Sequence, residues 1–449
     1  MESFTVGTGA SIYTQKLLPA VLAARHEIIL VTCFWAQSKT LTALCDALQQ
    51  LATRREADGV THPLRVYICF SSRSLLQKLF HTSSSDGYTY PQSAWTGKLG
   101  LPSPETLAAG NIHLRAKSLF FLPFSVMHPK FLVVDRRRAF VPSCNVSWEA
   151  WLEGCLEISR GTPSQDPIDG LLEFYRAVWD KDFDLATPLP QAPGELGRPD
   201  LTMVHQVKDI IRSPADTSTK LVDIGVPSSA VEWLPGWHHR DPALCLWPWQ
   251  TPSAPDTPLN NTLLRLFEEA SRDIYIQTPN LTSPPVLSAL VEALARGVDV
   301  TIVTSRSMMV LEQLLTAGTT TSWCIWRLTR RYRQLCASVQ ARTPSQTEPR
   351  GGQDVDIEAQ LITPGSLAIS YFRSQSQPTS DEEPVHSHLK LTIFDGEKTV
   401  LGSGNMDRAS WFTSQELGIL IHSATFADTV RNTVNEALGG RVDHVFVPS

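Results

Sequence analysis

The sequence lacks long apolar runs and any recognisable export signal. No stretch of about 18 or more residues is both uncharged and strongly apolar, so no membrane-spanning helix is predicted. The opening segment, MESFTVGTGASIYTQK, has neither the basic region nor the apolar core of a secretory signal. These absences predict a protein inside the cell, in the cytoplasm or peripherally on a membrane.

The sequence also lacks a cysteine framework and a metal-binding pattern. Its eight cysteines are scattered, with no Cys-x-x-Cys pair, which is typical of free thiols in a reducing compartment. His238, His239 and His386 have no second pair of ligands at a suitable spacing. We therefore predict no metal ion and no cofactor.

The sequence also has no excess of basic residues. The net charge is −6 and the pI is about 6.1. Because phosphate backbones attract basic proteins, this charge makes nucleic acid a less favoured partner. A single basic groove within an acidic total is still compatible with the composition.

An internal repeat divides the chain. The segment at 17–35, LLPAVLAARHEIILVTCFW, aligns without gaps with LLRLFEEASRDIYIQTPNL at 263–281. The same offset matches TALCDAL (42–48) with SALVEAL (288–294). In each half the pattern predicts a helix, a strand, a second helix and another strand. This alternation predicts an α/β fold of two pseudo-symmetric halves, each a mixed, mostly parallel sheet flanked by helices.

The repeat also predicts the domain boundaries. The first half spans 1–190 and the second spans 259–449. The segment between them, 191–258, is rich in proline and tryptophan and is predicted to be a linker or insertion. Its tryptophans, Trp233, Trp237, Trp247 and Trp249, fit either a lipid-facing loop or an ordinary cover between the halves.

Each half carries the same polar motif later in its sequence. HPKFLVVDRRRAFVPSCN begins at 128, and HLKLTIFDGEKTVLGSGN begins at 388. The shared positions are His128, Lys130, Asp135, Ser143 and Asn145 in the first copy and His388, Lys390, Asp395, Ser403 and Asn405 in the second. Since residues two apart on a strand share a face, each histidine projects beside its lysine.

These residue types suit the cleavage of a phosphodiester. One imidazole can attack phosphorus while the other protonates the leaving alkoxide, because the histidine pKa lies near ~6.5. Lysine ammonium groups can neutralise the phosphoryl oxygens, and the asparagine amides and serine hydroxyls can add hydrogen bonds. Ser143 and Ser403 are accordingly predicted to bind substrate.

The duplicated His-x-Lys-x4-Asp motif followed by Gly-Ser-x-Asn resembles the phospholipase D superfamily. The segment VVDRRRAFVPSCNVSWEAWLEG is similar to the form found in fungal members. The resemblance implies a two-lobed unit built by one chain, with His128 as nucleophile and His388 as acid. It also implies a carboxylate that orients each histidine, which we assign to Glu157 and Glu416 from their spacing. Pro142 departs from the family's glycine.

Two further features have alternative interpretations. Asp135 and Asp395 lie where strands end, and Asp395-Gly396 is typical of a hairpin turn, so a structural role is favoured over a chemical one. The segment 326–342 predicts an amphipathic helix with an apolar stripe among arginines. Such a helix fits a membrane surface or packing on the core.

The expected activity is that of a metal-independent phosphodiesterase, active as a monomer on phospholipids. The reaction is hydrolysis or headgroup exchange of the cardiolipin-synthase type. Two alternatives stay open: a nuclease of the same superfamily, and a catalytically silent lipid-binding protein.

Overall fold

A computed structural model describes most of the chain. It covers residues 1–74, 86–121, 125–147, 149–160, 166–190, 219–237, 253–306, 308–342, 363–375 and 383–447. His238, His239, Trp247 and Trp249 lie outside these ranges.

The strands of the first half build one large mixed sheet. Their bounds are β1 Ser3–Thr8, β2 Glu27–Phe34, β3 Leu64–Ser72, β4 Tyr88–Thr89, β5 Ile112–Ser118, β6 Phe120–Phe121, β7 Ser125–Val126, β8 Phe131–Val134, β9 Arg138–Pro142, β10 Trp151–Ser159 and β11 Lys220–Asp223. The sheet order is β11-β1-β10-β9-β8-β2-β3-β5-β4, and β6 pairs with β7 apart from it.

The strands of the second half build a second large sheet. They are β12 Val231–Trp237, β13 Asp273–Thr278, β14 Asp299–Thr304, β15 Leu367–Phe372, β17 Leu391–Phe394, β18 Lys398–Gly402, β19 Gln415–His422 and β20 Val442–Phe446. The short strand β16 His386–Ser387 pairs instead with β10 of the first sheet. The order is β12-β19-β18-β17-β13-β14-β15-β20.

The two sheets share one topology. The run β1-β10-β9-β8-β2-β3-β5 in the first corresponds to β12-β19-β18-β17-β13-β14-β15 in the second. The predicted two-halved α/β architecture is thus confirmed. Among the described strands of each half, β2-β3-β5 and β13-β14-β15 pair in parallel, whereas the motif strands pair antiparallel. The sheets are therefore mixed rather than mostly parallel.

Helices flank both sheets. The α-helices are α1 Gly9–Ile12, α2 Leu18–Leu22, α3 Lys39–Ala57, α4 Pro104–Ala109, α5 Pro167–Val178, α6 Pro258–Glu269, α7 Pro284–Ala295, α8 Val310–Ala317, α9 Thr321–Arg342, α10 Arg408–Phe412 and α11 Ala424–Leu438. Polar side chains accept backbone N–H groups in the first turn of several of these helices. Ser38, for example, accepts the Leu41 N–H at the start of α3, and Asp166 accepts the Ile168 N–H at the start of α5.

The two sheets face each other across a shared core. Phe4 and Leu156 of the first sheet lie in one buried cluster with Leu391 and Ile419 of the second. A Cβ added to Gly154 would lie 2.6 Å from the Leu389 side chain, so glycine permits a close approach of the halves at this point. Separate buried clusters lie beneath the outer helices of each half.

The segment predicted as a linker contributes to both sheets. β11 pairs with β1, and β12 pairs with β19. On β12, the Trp233 indole N–H donates to the Pro167 carbonyl, and Trp237 stacks on Phe174. These two tryptophans therefore cover the junction between the halves rather than face lipid.

The helices themselves include no bilayer span. Within the described ranges, none is at once long enough and apolar enough to cross a membrane.

Candidate active site

The two motifs meet where the halves cross. The backbone N–H of His128 donates to the Gln415 carbonyl at 3.0 Å, and the backbone N–H of His388 donates to the Leu152 carbonyl at 2.8 Å. Each histidine is therefore anchored by the strand that crosses from the opposite half, β19 for His128 and β10 for His388. The short strand β16 extends this junction, because it pairs in parallel with β10.

A carboxylate from the opposite half holds each imidazole. His128 Nδ1 lies 2.9 Å from Glu416 Oε2, and His388 Nδ1 lies 2.9 Å from Glu153 Oε1. Both carboxylates are fully buried. Because Nδ1 is occupied in both rings, Nε2 is the nitrogen left for chemistry.

The position of the second carboxylate corrects the sequence-based assignment. Glu157 contacts neither imidazole, because its carboxylate binds Lys16 at 3.0 Å and Arg138. Glu153 and Glu157 lie on the same strand, and four residues of strand separate them by about 13 Å. Glu153 was missed because it follows Asn145 by eight residues, whereas Glu416 follows Asn405 by eleven. The short helix α10 accounts for the longer spacing in the second half.

The motif serines hold these carboxylates. The Ser143 hydroxyl donates to Glu153 and accepts the Gly154 N–H at 2.9 Å. The Ser403 hydroxyl donates to Glu416 and accepts the Leu417 N–H at 3.0 Å. A hydroxyl has one proton to donate, and here it is committed to the carboxylate. The contacts of the serines therefore differ from the predicted substrate-binding role.

Proline at 142 leaves this arrangement intact. Gly402 adopts a φ of +140°, and a side chain there would meet the Leu417 carbonyl. Pro142 occupies the matching place in the first half without a positive φ. The backbone N–H of the following serine is nonetheless bonded in both halves. Ser143 donates to the Gly154 carbonyl at 2.8 Å, and Ser403 donates to the Leu417 carbonyl at 3.1 Å.

The two motif lysines are buried beside the histidines. Lys130 Nζ donates to the His128 carbonyl at 2.8 Å, and Lys390 Nζ donates to the His388 carbonyl at 2.7 Å. The charge of Lys390 also acts on His128, and that of Lys130 acts on His388. Both motifs therefore contribute to one charged cluster.

The two asparagines are held differently. Asn145 Oδ1 accepts the Phe34 N–H at 3.0 Å and the Thr32 hydroxyl at 3.3 Å. Because its oxygen is occupied, its NH2 group is the part that can donate to an anion. Asn405 instead donates through Nδ2 to Asp407 at 2.8 Å.

The motif aspartates lie at the far ends of the motif strands. Asp135 accepts the backbone N–H groups of Arg25, His26 and Glu27. Asp395 binds the corresponding N–H groups of 271–273. Both aspartates adopt a positive φ in the hairpin turn. Their contacts fix the start of β2 and β13.

Burial sets the protonation of the imidazoles and their carboxylates. Burial lowers the pKa of His128 and of His388, although the neighbouring glutamates oppose the shift. Burial, the largest single effect, would raise the pKa of Glu153 and of Glu416, but the charges and hydrogen bonds of their neighbours together outweigh it, so both carboxyls titrate below their usual range. Near neutral pH the free site therefore holds two neutral imidazoles and two carboxylates.

Burial has a large effect on the charge of Lys390. Burial lowers the pKa of its ammonium group to about 7, against the opposing attraction of Glu153. A bound anion would favour the charged form. This lysine is thus poised to take up a proton when a phosphate group enters.

One aromatic residue of the site was not identified from the sequence. The Trp151 ring lies 5.0 Å from the His388 ring and 6.0 Å from the His386 ring. Trp151 opens β10, two residues before Glu153, and no motif marks it. Taken together, the site combines two oriented imidazoles, two ammonium groups and an amide donor, a set suited to phosphoryl transfer.

Comparisons with known proteins bear on the second half and on the fold. Residues 263–438 match the family model described as cardiolipin synthase, PLD-like domain. No curated protein matches the sequence. Phosphatidylserine synthase of Haemophilus influenzae Rd KW20 aligns with a TM-score of 0.56 at 14% identity, covering 99% of this chain and 87% of that one. The second half is thus similar to a PLD-like domain, and the chain shares the fold of that synthase.

Two other solved structures align less closely. Polyphosphate kinase of Porphyromonas gingivalis gives a TM-score of 0.45 at 11% identity, covering 98% of this chain and 50% of that one. Nuc, a phospholipase D family member of Salmonella typhimurium, gives 0.27 at 15% identity, covering 48% of this chain and 96% of that one.

Proposed function

We propose that the protein is a metal-independent phosphodiesterase that acts on phospholipids, by hydrolysis or by transfer to a second alcohol. The observation that carries the proposal is the pair of histidines held by buried glutamates beside two buried lysines. The names of the matching family model and of the synthase with the same fold direct the choice of substrate to phospholipids.

The first step forms a covalent intermediate. His128 Nε2 attacks phosphorus, and the bond from phosphorus to the headgroup oxygen breaks. His388 Nε2–H gives its proton to that oxygen. The assignment of His128 as nucleophile is supported by its greater accessibility, since its side chain is 13% exposed and that of His388 is 5% exposed.

The second step releases the product. Water or an alcohol attacks the phosphohistidine, His388 takes the proton of the attacking hydroxyl, and the bond from phosphorus to His128 breaks. Glu416 and Glu153 fix the rings and stabilise the imidazolium forms. Lys130, Lys390 and the Asn145 amide offset the charge that develops on the phosphoryl oxygens.

The protonated state of His388 arises when substrate binds. Its pKa is lowered in the free site, so the ring starts neutral at pH 7. The negative phosphodiester favours the charged imidazole, as it favours the charged Lys390.

Mass spectrometry of products from a mixed phospholipid panel tests the proposal, with and without added ethanol. We expect phosphatidate in water and phosphatidylethanol when ethanol is present. The variants His128→Ala and His388→Ala should form neither product. The proposal fails if wild type and both variants leave every lipid intact, or if only an oligonucleotide substrate is cleaved.

A further inference from the structure

Most of the large exposed apolar side chains of the described residues lie in one short region. Among the described residues, eleven large apolar side chains are exposed, and seven of these lie between 309 and 326. We define the 309–326 patch by these seven residues: Met309, Val310, Leu311, Leu314, Leu315, Trp323 and Trp326. Contiguous exposed apolar surface of this kind marks a site of association.

Helix α8 within the patch buries a polar side chain and exposes apolar ones, which is the reverse of an ordinary surface helix. Its one buried residue is Gln313, while Leu311 is 72% exposed. Gln313 donates to the Met308 carbonyl at 2.6 Å and accepts the Thr321 N–H at 2.6 Å and its hydroxyl at 3.0 Å. These bonds fix the rotation of α8, so its leucines are held outward rather than packed on the core.

Helix α9 continues the same surface. Its apolar stripe is already used, because Ile325 and Leu328 are buried in the core of the second half. The stripe predicted from the sequence therefore packs inward and is not free to meet a membrane. The outward face instead begins with Trp323, which is 54% exposed and stacks on Trp326 with ring centroids 4.7 Å apart.

Positive charge adjoins the patch on this outward face. Four arginines of α9 are exposed: Arg327, Arg330, Arg331 and Arg333. Arg330 lies over the Trp326 ring at 5.6 Å. Within the described part of the chain, none of the four forms an ion pair with a carboxylate. Residues 308–342 contain five arginines and one acidic residue, Glu312.

The patch borders the active site. The segment that leads into α8 begins at the carboxyl end of β14, beside that of β13. There the Ser305 hydroxyl donates to the Ser387 carbonyl at 3.1 Å, one residue before His388. From β13, the Thr278 hydroxyl accepts the Met406 N–H at 3.0 Å, one residue after Asn405.

We propose that the 309–326 patch and the adjacent arginines dock the protein on the surface of an anionic phospholipid bilayer. Tryptophan and leucine side chains enter the headgroup region, and the arginines contact lipid phosphates. Docking brings the active-site edge to the headgroups. The inference rests on the proposed function, because it assumes that the substrate lies in a bilayer.

Vesicle flotation in the His128→Ala background tests docking without altering the lipid. Vesicles of phosphatidylcholine alone are compared with vesicles that also contain phosphatidylglycerol. We expect binding to the anionic vesicles, and a loss on the order of tenfold in Trp323→Ala/Trp326→Ala and in Leu311→Ser/Leu315→Ser. Leu221→Ser is the matched control, since Leu221 is 54% exposed on β11 and should leave binding unchanged.

The charge contribution has its own variant. Arg330→Gln/Arg331→Gln should weaken binding to anionic vesicles and leave binding to neutral vesicles unchanged. In the wild-type background, the patch variants should still turn over a short-chain phospholipid that is dissolved as monomers.

The outcomes separate this inference from the proposed function. Patch variants that bind anionic vesicles as tightly as their parent overturn docking, whatever the activity. If Trp323→Ala/Trp326→Ala shifts the sedimentation coefficient to a smaller species without weakening vesicle binding, the patch joins two copies of the chain and docking is also overturned. Patch-dependent binding without turnover of any phospholipid supports docking and rejects the proposed substrate.

Discussion

Glu153 in the first half holds His388 in the second, with Oε1 2.9 Å from Nδ1. Glu416 holds His128 in the reverse direction. Each half therefore orients the imidazole that the other half contributes.

A pair of glutamates on one strand tests the orienting role. Glu153→Gln should lower kcat by about 100-fold or more, because an amide cannot stabilise the imidazolium of His388. Glu157→Gln is the matched control, since Glu157 is also buried on β10 but binds Lys16 and Arg138. It should retain turnover and lose about 1–3 kcal/mol of unfolding free energy. Steady-state kinetics and chemical denaturation measure both, and equal kcat losses in the two variants would contradict the assignment.

The serines provide a test that separates positioning from binding. Ser403→Ala should lower kcat roughly tenfold, because Glu416 loses the hydroxyl that holds it. KM should change little, since that hydroxyl is committed to the carboxylate. A rise in KM at constant kcat would instead show that the serine binds substrate. Ser143→Ala should behave in the same way through Glu153.

Leaving-group chemistry distinguishes the two histidines. An aryl phosphodiester has a leaving group that departs without a proton, so it does not need the acid. His388→Ala should therefore recover activity on a nitrophenyl ester relative to an alkyl ester, whereas His128→Ala should not. The phosphohistidine should be detected on His128 by peptide mass spectrometry. The reverse pattern would exchange the two roles.

The lowered pKa of Lys390, about 7, predicts a pH-dependent affinity for anions. Lysine is charged below its pKa, so its positive charge is lost as the pH rises through about 7. Sulfate stays a dianion in this range, and its inhibition constant should rise about tenfold per pH unit above the lysine pKa. Lys390→Met should weaken sulfate inhibition and flatten the dependence. An inhibition constant that is level between about pH 6 and 9 in the wild type would argue against a poised lysine.

Chelation tests the metal-independent mechanism. Turnover should persist after extensive dialysis against EDTA, because lysines and an amide supply the electrostatic stabilisation. Restoration of a lost rate by a divalent cation would refute this part of the proposal.

The sequence predicted the repeated elements well because their physical signals are local. Helix α3 and strands β2 and β13 lie where amphipathic and β-rich patterns placed them. The motif histidines and lysines were expected on strands, but they lie just before β8 and β17, where each lysine donates to the carbonyl of its histidine. The assumption of similar spacing after each asparagine gave the wrong glutamate in the first half, because α10 lengthens only the second half. A contact between the halves also cannot be read from the distance between residues in the sequence.

The serine contacts were beyond sequence reasoning for a different reason. Ser143 and Ser403 have the right type to bind phosphate, and only the geometry of β10 and β19 directs their hydroxyls to the carboxylates. The exposure of the 309–326 patch could likewise not be predicted from the sequence. A helix pattern shows that Leu311 and Gln313 lie on different faces, but Thr321 determines which face is buried.

A strand of the opposite half anchors each motif histidine. This arrangement determines what fragments of the chain could do. A fragment ending before β16 would retain His128 but lose the glutamate that orients it, and the complementary fragment would lose the partner of His388. Neither fragment could work by itself, yet the two expressed together contain every contact of the exchange. The chain therefore resembles a dimer within one molecule, in which a change in one half displaces the imidazole that the other half contributes.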